Sequence, residues 1–201
     1  MFYKSIRFIL YLIFKITLRL EIYGCENIPR TGPVVVASNH LSLLDPPLIG
    51  VAATRQVYFM AKKELFVFIL GDIYKALGAF PVSRGTADRT AIKHAIELLQ
   101  NAKVLAIFPE GTRSKDGKLA KAEPGALMMA GKARAVIVPT AIKGSDLKRQ
   151  KSWWPKVTIT FGKPIYFPND EPINKELLHR LSVQMMGEIQ ELLDLREQDG
   201  N

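Results

Sequence analysis

Cysteine is almost missing from this chain. Cys25 stands alone, so no internal disulfide can form, which excludes a disulfide-stapled small domain and fits a reducing compartment. No histidine lies near it, and it reads as a small buried residue. Histidine is also scarce: His40, His94 and His179 are the whole set, and none has further histidine or cysteine at the spacing a three- or four-ligand metal site needs. A long apolar run is lacking as well. Between Met1 and Leu20 the longest charge-free stretch, Phe8–Phe14, is seven residues, against the roughly 20 required to span a bilayer. Lys15 and Arg19 follow without a small-x-small cleavage pattern, which argues against a signal peptide. Acid, finally, is in deficit. Lys and Arg number 28 against 19 Asp and Glu, a net charge of +9, which favours anionic partners: nucleic acid, anionic headgroups, acidic carrier proteins or phosphorylated ligands. No nucleic-acid-binding motif accompanies the charge, so nucleic acid is set aside.

What remains is an ordinary globular composition, 48% apolar over 201 residues, without repeats, low-complexity tracts or long linkers. The first twenty residues project as an amphipathic helix. At about 100° per residue, Lys4, Arg7, Tyr11, Lys15 and Arg19 share an arc of roughly 120°, and the rest of the circumference is nearly all apolar. A narrow basic stripe on a broad apolar helix describes a segment lying in a membrane interface; a core-packed helix with snorkelling cations is the alternative. The expected division is a membrane-anchoring helix over residues 1–21 and a single domain over 22–201. The apolar stretch Leu65–Leu70 either extends the membrane contact or forms a buried helix.

Short runs rich in valine and isoleucine, at Val34–Ser38, Val57–Met60, Ala79–Val82, Val104–Phe108, Ala135–Ala141 and Val157–Phe161, read as strands. Several are continuously apolar, as in strands covered on both faces. Helical patterns alternate with them: Asp45 to Ala53 with Asp45 as N-cap and prolines behind it, Thr86–Asn101, Pro124–Ala133, and a long tail from Ile173 with Leu177, Leu181, Met185, Ile189 and Leu192 on one face. This alternation predicts an α/β fold with a mostly parallel or mixed sheet covered by helices, and the strand near Val157 at an edge.

Two segments carry chemistry. In Asn39-His40-Leu41-Ser42-Leu43-Leu44-Asp45 the histidine ends a buried strand and the aspartate opens the next helix, at the carboxyl end of a strand where open α/β sheets place their sites. A five-residue step separates side chains by about 140° on a straight helix, so His40 and Asp45 meet only if the chain turns first. If they meet, Asp45 fixes the tautomer and the other ring nitrogen is free to take a proton. Otherwise Asp45 is a helix cap and His40 a satisfied polar residue. The second segment, Phe108-Pro109-Glu110-Gly111-Thr112-Arg113-Ser114, follows a strand with a glycine turn, hydroxyls and a planar cation suited to phosphate oxygens. Lys115, Lys118 and Lys121 raise the local potential. It is not a nucleotide P-loop, because Gly117-Lys118 precedes leucine. Pro81-Val82-Ser83-Arg84-Gly85 repeats the design of strand end, hydroxyl, arginine and glycine.

Four blocks in order, the two above together with Gly78–Gly85 and Val136-Ile137-Val138-Pro139-Thr140, resemble the glycerolipid acyltransferases, especially the 1-acylglycerol-3-phosphate (lysophosphatidate) acyltransferases, over about residues 22–165. The resemblance implies an enzyme of phospholipid biosynthesis that makes phosphatidic acid from lysophosphatidic acid and an acyl-CoA or acyl-carrier protein thioester, with no cofactor or metal. It implies that His40 is the base and Asp45 its orienting partner. Arg84, Gly85, Glu110, Gly111, Thr112 and Arg113 would then hold the acceptor, and Lys62 (with Lys63) would be a secondary phosphate contact. Val136–Thr140 would line the acyl side. It also implies a peripheral protein on an anionic membrane at the cytoplasmic face. Relatives place a lysine where this chain has Glu123, and Lys121 is the candidate substitute. Other acceptors, a lysophospholipid or glycerol 3-phosphate, and a non-catalytic basic membrane-binding protein are the alternatives.

Overall fold

A computed structural model of the chain describes residues 2–83 and 88–195. Seven strands form one sheet: β1 (Glu21–Tyr23), β2 (Val34–Ser38), β3 (Val57–Lys62), β4 (Ala79–Val82), β5 (Val104–Ile107), β6 (Val136–Lys143) and β7 (Thr158–Phe161). Their order across the sheet is β1-β7-β6-β2-β5-β3-β4. Every neighbouring pair is parallel except β6 with β7. The mixed α/β class read from the sequence is the one observed.

Helices cover both faces: α1 (Phe2–Thr17), α2 (Asp45–Ala52), α3 (Phe68–Ala76), α4 (Arg89–Gln100), α5 (Gly125–Lys132), the short α6 (Leu147–Gln150) and α7 (Lys175–Leu195). The pleat of β2 shows how the two cores divide. Val34 and Val36 point into one with Leu48 and Ile49 of α2 and Phe14 of α1. Val35 and Ala37 point into the other with Ala95 and Leu99 of α4, Leu127 of α5, and Leu177, Leu181, Met185 and Ile189 of α7. Since both faces of β2 are buried, Val34 to Ala37 are all apolar without alternation, and only Ser38 at the carboxyl end is polar. Asp88 starts α4 by accepting from Ala91 N at 3.0 Å, and Asn174 starts α7 by accepting from Leu177 N at 2.8 Å.

Three expectations change. First, β7 is not an edge strand. The three-residue β1 pairs outside it, Ile22 opposite Ile159, and Glu21 N donates to Val157 O at 2.9 Å. A strand that short carries no periodicity to read. Second, Asp45 does not cap α2. Leu44 occupies the cap position and Asp45 lies in the first turn, where prolines follow it. Third, Cys25 is only half-buried, in a 3₁₀ turn over Cys25–Asn27.

The N-terminal segment is helical, and its docking differs from the projection. Arg7, in the basic arc, turns toward the body and donates from Nε to Val51 O at 3.3 Å, while Phe14 and Leu18 are buried beside α2 and β2. Each such buried side chain stabilises the docking by about 1.5–3 kcal/mol. α1 leaves Phe8, Ile9, Leu12, Ile13 and Ile16 exposed, together with Lys4, Ser5, Lys15 and Thr17. No helix among the described residues is long and apolar enough to cross a membrane. The Leu65–Leu70 stretch divides between a 3₁₀ turn over Lys63–Leu65 and the start of α3, with Leu65 and Val67 exposed.

Candidate active site

Parallel pairing puts the carboxyl ends of β6, β2, β5, β3 and β4 along one edge of the sheet, and His40, Lys62 and the segment from Phe108 follow strands at that edge. His40 follows β2. Its ring nitrogen Nδ1 lies 2.7 Å from Oδ2 of Asp45. The turn that the five-residue step demands is built by the aspartate itself. Oδ2 also accepts from Leu41 N and Ser42 N, both at 2.7 Å, and Ser42 Oγ accepts from Leu44 N at 3.2 Å. One buried oxygen therefore folds the loop and holds the imidazole. Asp45 is fully buried and His40 is 5% exposed. No hydrogen bond among the described residues engages Nε2 of His40, so with Nδ1–H donated to the carboxylate the second nitrogen keeps its lone pair.

The second segment braces the first. Phe108, just past β5, stacks on the imidazole with ring centroids 4.0 Å apart and planes inclined by 19°. Glu110 accepts from His40 N through Oε1 at 2.9 Å and from Ala120 N through Oε2 at 2.9 Å. Ser114 N donates to His40 O at 2.8 Å. The histidine is thus held at its ring on two sides and at both ends of its backbone unit. On the far side Asn39 locks β2 to β6: its Nδ2 donates to Ile142 O at 2.9 Å and its Oδ1 accepts from Ile142 N at 2.8 Å. Asn39 and Phe108 lie within the recognised blocks, yet residue type alone gave them no role, and Ser114, read as a hydroxyl donor for an anion, here donates its hydroxyl to Asp116. Their roles are visible only once the strands are side by side.

Gly111 takes φ +70° in the turn, and a Cβ there would come within 3.0 Å of the Glu123 side chain. Thr112, Arg113, Lys121 and Glu123 are exposed. Arg113 lines a depression of about 400 Å³ together with Leu41–Leu44 and Ser145–Lys148. The guanidinium and the segment leaving His40 therefore share one surface recess. The loop that carries Arg113 is fixed beyond it: Ser114 donates its hydroxyl to Asp116 Oδ1 at 3.1 Å, and Gly117 N donates to Ser114 Oγ at 2.9 Å. The amide of Lys118 and the Ser114 hydroxyl hold the Asp116 carboxyl below its ordinary range.

Lys62 ends β3, half-exposed, and meets Glu64 Oε1 at 3.3 Å. Glu64 is held low first by its own backbone amide and then by Lys62. Arg84 and Gly85 lie outside the described residues. Beyond β4 a broad depression of about 740 Å³ is lined by Lys63, Phe80, Ser83, Asp88 and His94, with His94 edge-on to Phe80 at 4.8 Å. Asp88 there is held below the usual carboxylate range by the Ser83 and Ala91 amides. In β6 the block 136–140 packs inward, with Ile137 to Thr140 buried between β2 and β7. Among the described residues no three His, Cys, Asp or Glu side chains gather as a metal site.

A family model described as Acyltransferase matches residues 19–143. The 1-acyl-sn-glycerol-3-phosphate acyltransferase of Bacillus subtilis (strain 168) is 32% identical over 149 residues, covering 73% of this chain and 74% of that protein. The protein of the same description from Streptococcus pneumoniae (strain ATCC BAA-255 / R6) is 29% identical over 198 residues, covering 96% of this chain and 73% of the relative. Among solved structures, the 1-acyl-sn-glycerophosphate (LPA) acyltransferase PlsC from Thermotoga maritima superposes with a TM-score of 0.76 at 29% identity, covering 94% of this chain and 79% of that one.

Proposed function

Because this chain belongs to the acyltransferase family, we propose that it transfers an acyl chain from a thioester to the free hydroxyl of 1-acylglycerol 3-phosphate, forming phosphatidic acid. The observation that carries this reading is the imidazole held by Asp45 and Phe108 at the edge where Arg113 opens onto a recess. In the proposed step, Nε2 of His40 takes the proton of the acceptor hydroxyl as its oxygen attacks the thioester carbonyl. Asp45 stabilises the imidazolium that forms. The tetrahedral adduct collapses, the C–S bond breaks, and the proton passes from His40 to the departing sulfur. No covalent acyl-enzyme is needed, since the acceptor attacks directly.

Arg113, with Thr112 and the turn at Gly111, is assigned to the acceptor phosphate, and Lys62 to a supporting role in drawing anions to the edge. Arg84 and Gly85 keep this assignment by resemblance alone. We assign the exposed apolar face of α1 to the membrane interface, which would make the protein peripheral on the leaflet where its water-soluble donor arrives. Either acyl-CoA or acyl-carrier protein serves as donor in this scheme.

The test is His40→Ala, assayed for thiol release from acyl-CoA and from acyl-carrier protein, each with and without lysophosphatidate. Loss of the base lowers turnover by about 10²–10⁴ while fold and vesicle binding persist. A variant with unimpaired turnover removes His40 from the chemistry, and thiol release independent of lysophosphatidate removes the assigned acceptor.

A further inference from the structure

Both tryptophans of the chain stand side by side in one loop, and neither is buried. Trp153 is 94% exposed and Trp154 45%. They occupy the connection from β6 to β7, whose base is clipped by one side chain. Gln150 donates to Gly144 O at 2.6 Å and Lys156 O at 2.7 Å, and accepts from Lys156 N at 3.0 Å. The indoles are therefore raised on a fixed support. An indole is among the largest apolar groups a chain can bury, and water is a poor place for two of them. The boundary between headgroups and acyl chains suits such a ring, apolar in body and polar at its N–H.

Location and charge point the same way. Trp154 Nε1 donates to Ile16 O at 2.7 Å in the last turn of α1, and the Arg19 guanidinium lies 5.2 Å from the ring centroid. The loop thus adjoins the helix whose Phe8, Ile9, Leu12, Ile13 and Ile16 are open to solvent. Residues 147–156 contain Lys148, Arg149, Lys151 and Lys156 and no carboxylate. Lys156 pairs with Glu21 and Arg149 with Asp146, whereas the exposed Lys148 and Lys151 have no ion-pair partner among the described residues. Aromatic rings flanked by free cations match an anionic lipid surface. An acidic carrier protein would meet the cations but offers no medium for two exposed indoles.

We propose that the β6–β7 loop is a second membrane-contact element. Trp153 enters the interfacial layer of an anionic bilayer, and Arg19, Lys148 and Lys151 meet headgroup phosphates. Two contacts, α1 and this loop, fix the rotation of the protein on the surface where one helix alone would leave it free. The same loop begins at Ser145–Lys148, which line the recess with Arg113, so seating the tryptophans also seats that recess against the lipid. The inference uses the membrane reading of α1 only for the location of the surface.

The chain reports on itself, since its tryptophan emission, excited selectively over its tyrosines, comes from Trp153 and Trp154 alone. The full chain is mixed with vesicles of phosphatidylcholine and phosphatidylglycerol carrying brominated acyl chains, and sedimentation is read beside fluorescence. The expected result is a blue-shifted emission quenched by the bromines, absent with pure phosphatidylcholine. Trp153→Ala should weaken vesicle partition on the order of tenfold, as loss of one interfacial aromatic does, and leave acylation of a detergent-dispersed acceptor unchanged. Trp153→Phe should recover part of the partition. Since the side chain contacts so little of the protein, neither variant endangers folding. Co-sedimentation with unshifted, unquenched emission overturns the proposal and leaves the α1 reading standing. Failure to sediment at all overturns both. A shift produced by acyl-carrier protein without lipid, larger than that produced by vesicles, overturns it in favour of a carrier-docking loop.

Discussion

Replacing Asp45 separates two tasks that its carboxylate performs with one oxygen. Oδ2 receives the imidazole and two backbone amides, all at 2.7 Å. In Asp45→Ala the amides of Leu41 and Ser42 lose their acceptor. Each unpaired N–H costs about 1–3 kcal/mol, so the variant should lose about 2–6 kcal/mol of stability. That is a large part of the 5–15 kcal/mol or so by which a domain is stable. Asp45→Asn behaves differently. Its amide oxygen must take the place of Oδ2, because an NH₂ there would face two N–H donors. The NH₂ then occupies the site of Oδ1, which is buried without a partner, at a cost of about 1–3 kcal/mol. His40 still donates from Nδ1 and still has a free Nε2, but the charge that stabilises its protonated form is gone. The difference between a charge-assisted and a neutral hydrogen bond is about 1–2 kcal/mol. Turnover in Asp45→Asn should therefore fall only about 5- to 30-fold, far less than in His40→Ala. Urea denaturation measures the first effect and thiol release the second. An Asp45→Ala protein as stable as the parent, or an Asp45→Asn protein as inactive as His40→Ala, refutes the reasoning.

Two further outcomes follow from the same geometry. Glu110→Gln must turn an NH₂ toward either His40 N or Ala120 N, so it should lose about 1–3 kcal/mol in urea denaturation and lower kcat with little change in KM for the acceptor. Normal stability with a raised KM would instead put this carboxylate on the substrate. Under the proposed assignment, Arg113→Ala removes a charge-assisted contact to phosphate, worth about 1.5–3 kcal/mol, and should raise the acceptor KM about 10- to 150-fold with kcat nearly unchanged. An unaltered KM excludes Arg113 from the phosphate site.

How far the sequence alone reaches differs from element to element, for physical reasons. β2 is legible because a strand buried on both faces shows a continuous apolar run, and Val34–Ala37 is one. α7 is legible because a helix covering a sheet repeats its apolar side chains every turn. β1 is not, since three residues give no pattern and their pairing depends on β7, over 130 positions away. The wheel drawn for α1 gives the helix but not its docking: Arg7 turns inward, while five large apolar side chains stay exposed beside Lys4 and Lys15. Asp45 reads as a cap because caps and loop-closing carboxylates share a residue type and a position before proline. Glu110 reads as an anion-site residue from its neighbours, whereas both its oxygens hold backbone amides. Exposure of the tryptophan pair is tertiary information, and composition is silent on it.

The two motif-bearing blocks of this chain divide the work in a way their residue types conceal. Nearly every bond that fixes His40 ends on a backbone group or on the histidine itself: Asp45 and Glu110 take amides, and Ser114 gives one. Such bonds do not depend on a ligand, so the imidazole is in place before anything binds. Arg113, Thr112 and Lys62, by contrast, are open to solvent. A cation that must capture a headgroup from a lipid surface gains from reach, and a base that must accept one proton along one direction gains from rigidity. The sheet supplies both because β2 and β5 are adjacent and parallel. Their carboxyl ends then deliver a buried histidine and an exposed arginine loop to the same edge, with Ser114 N–H bonding His40 O as the link between them. Arg113 is one residue from that link and three from Glu110, so the exposed cation sits on a segment bonded to the histidine at two points.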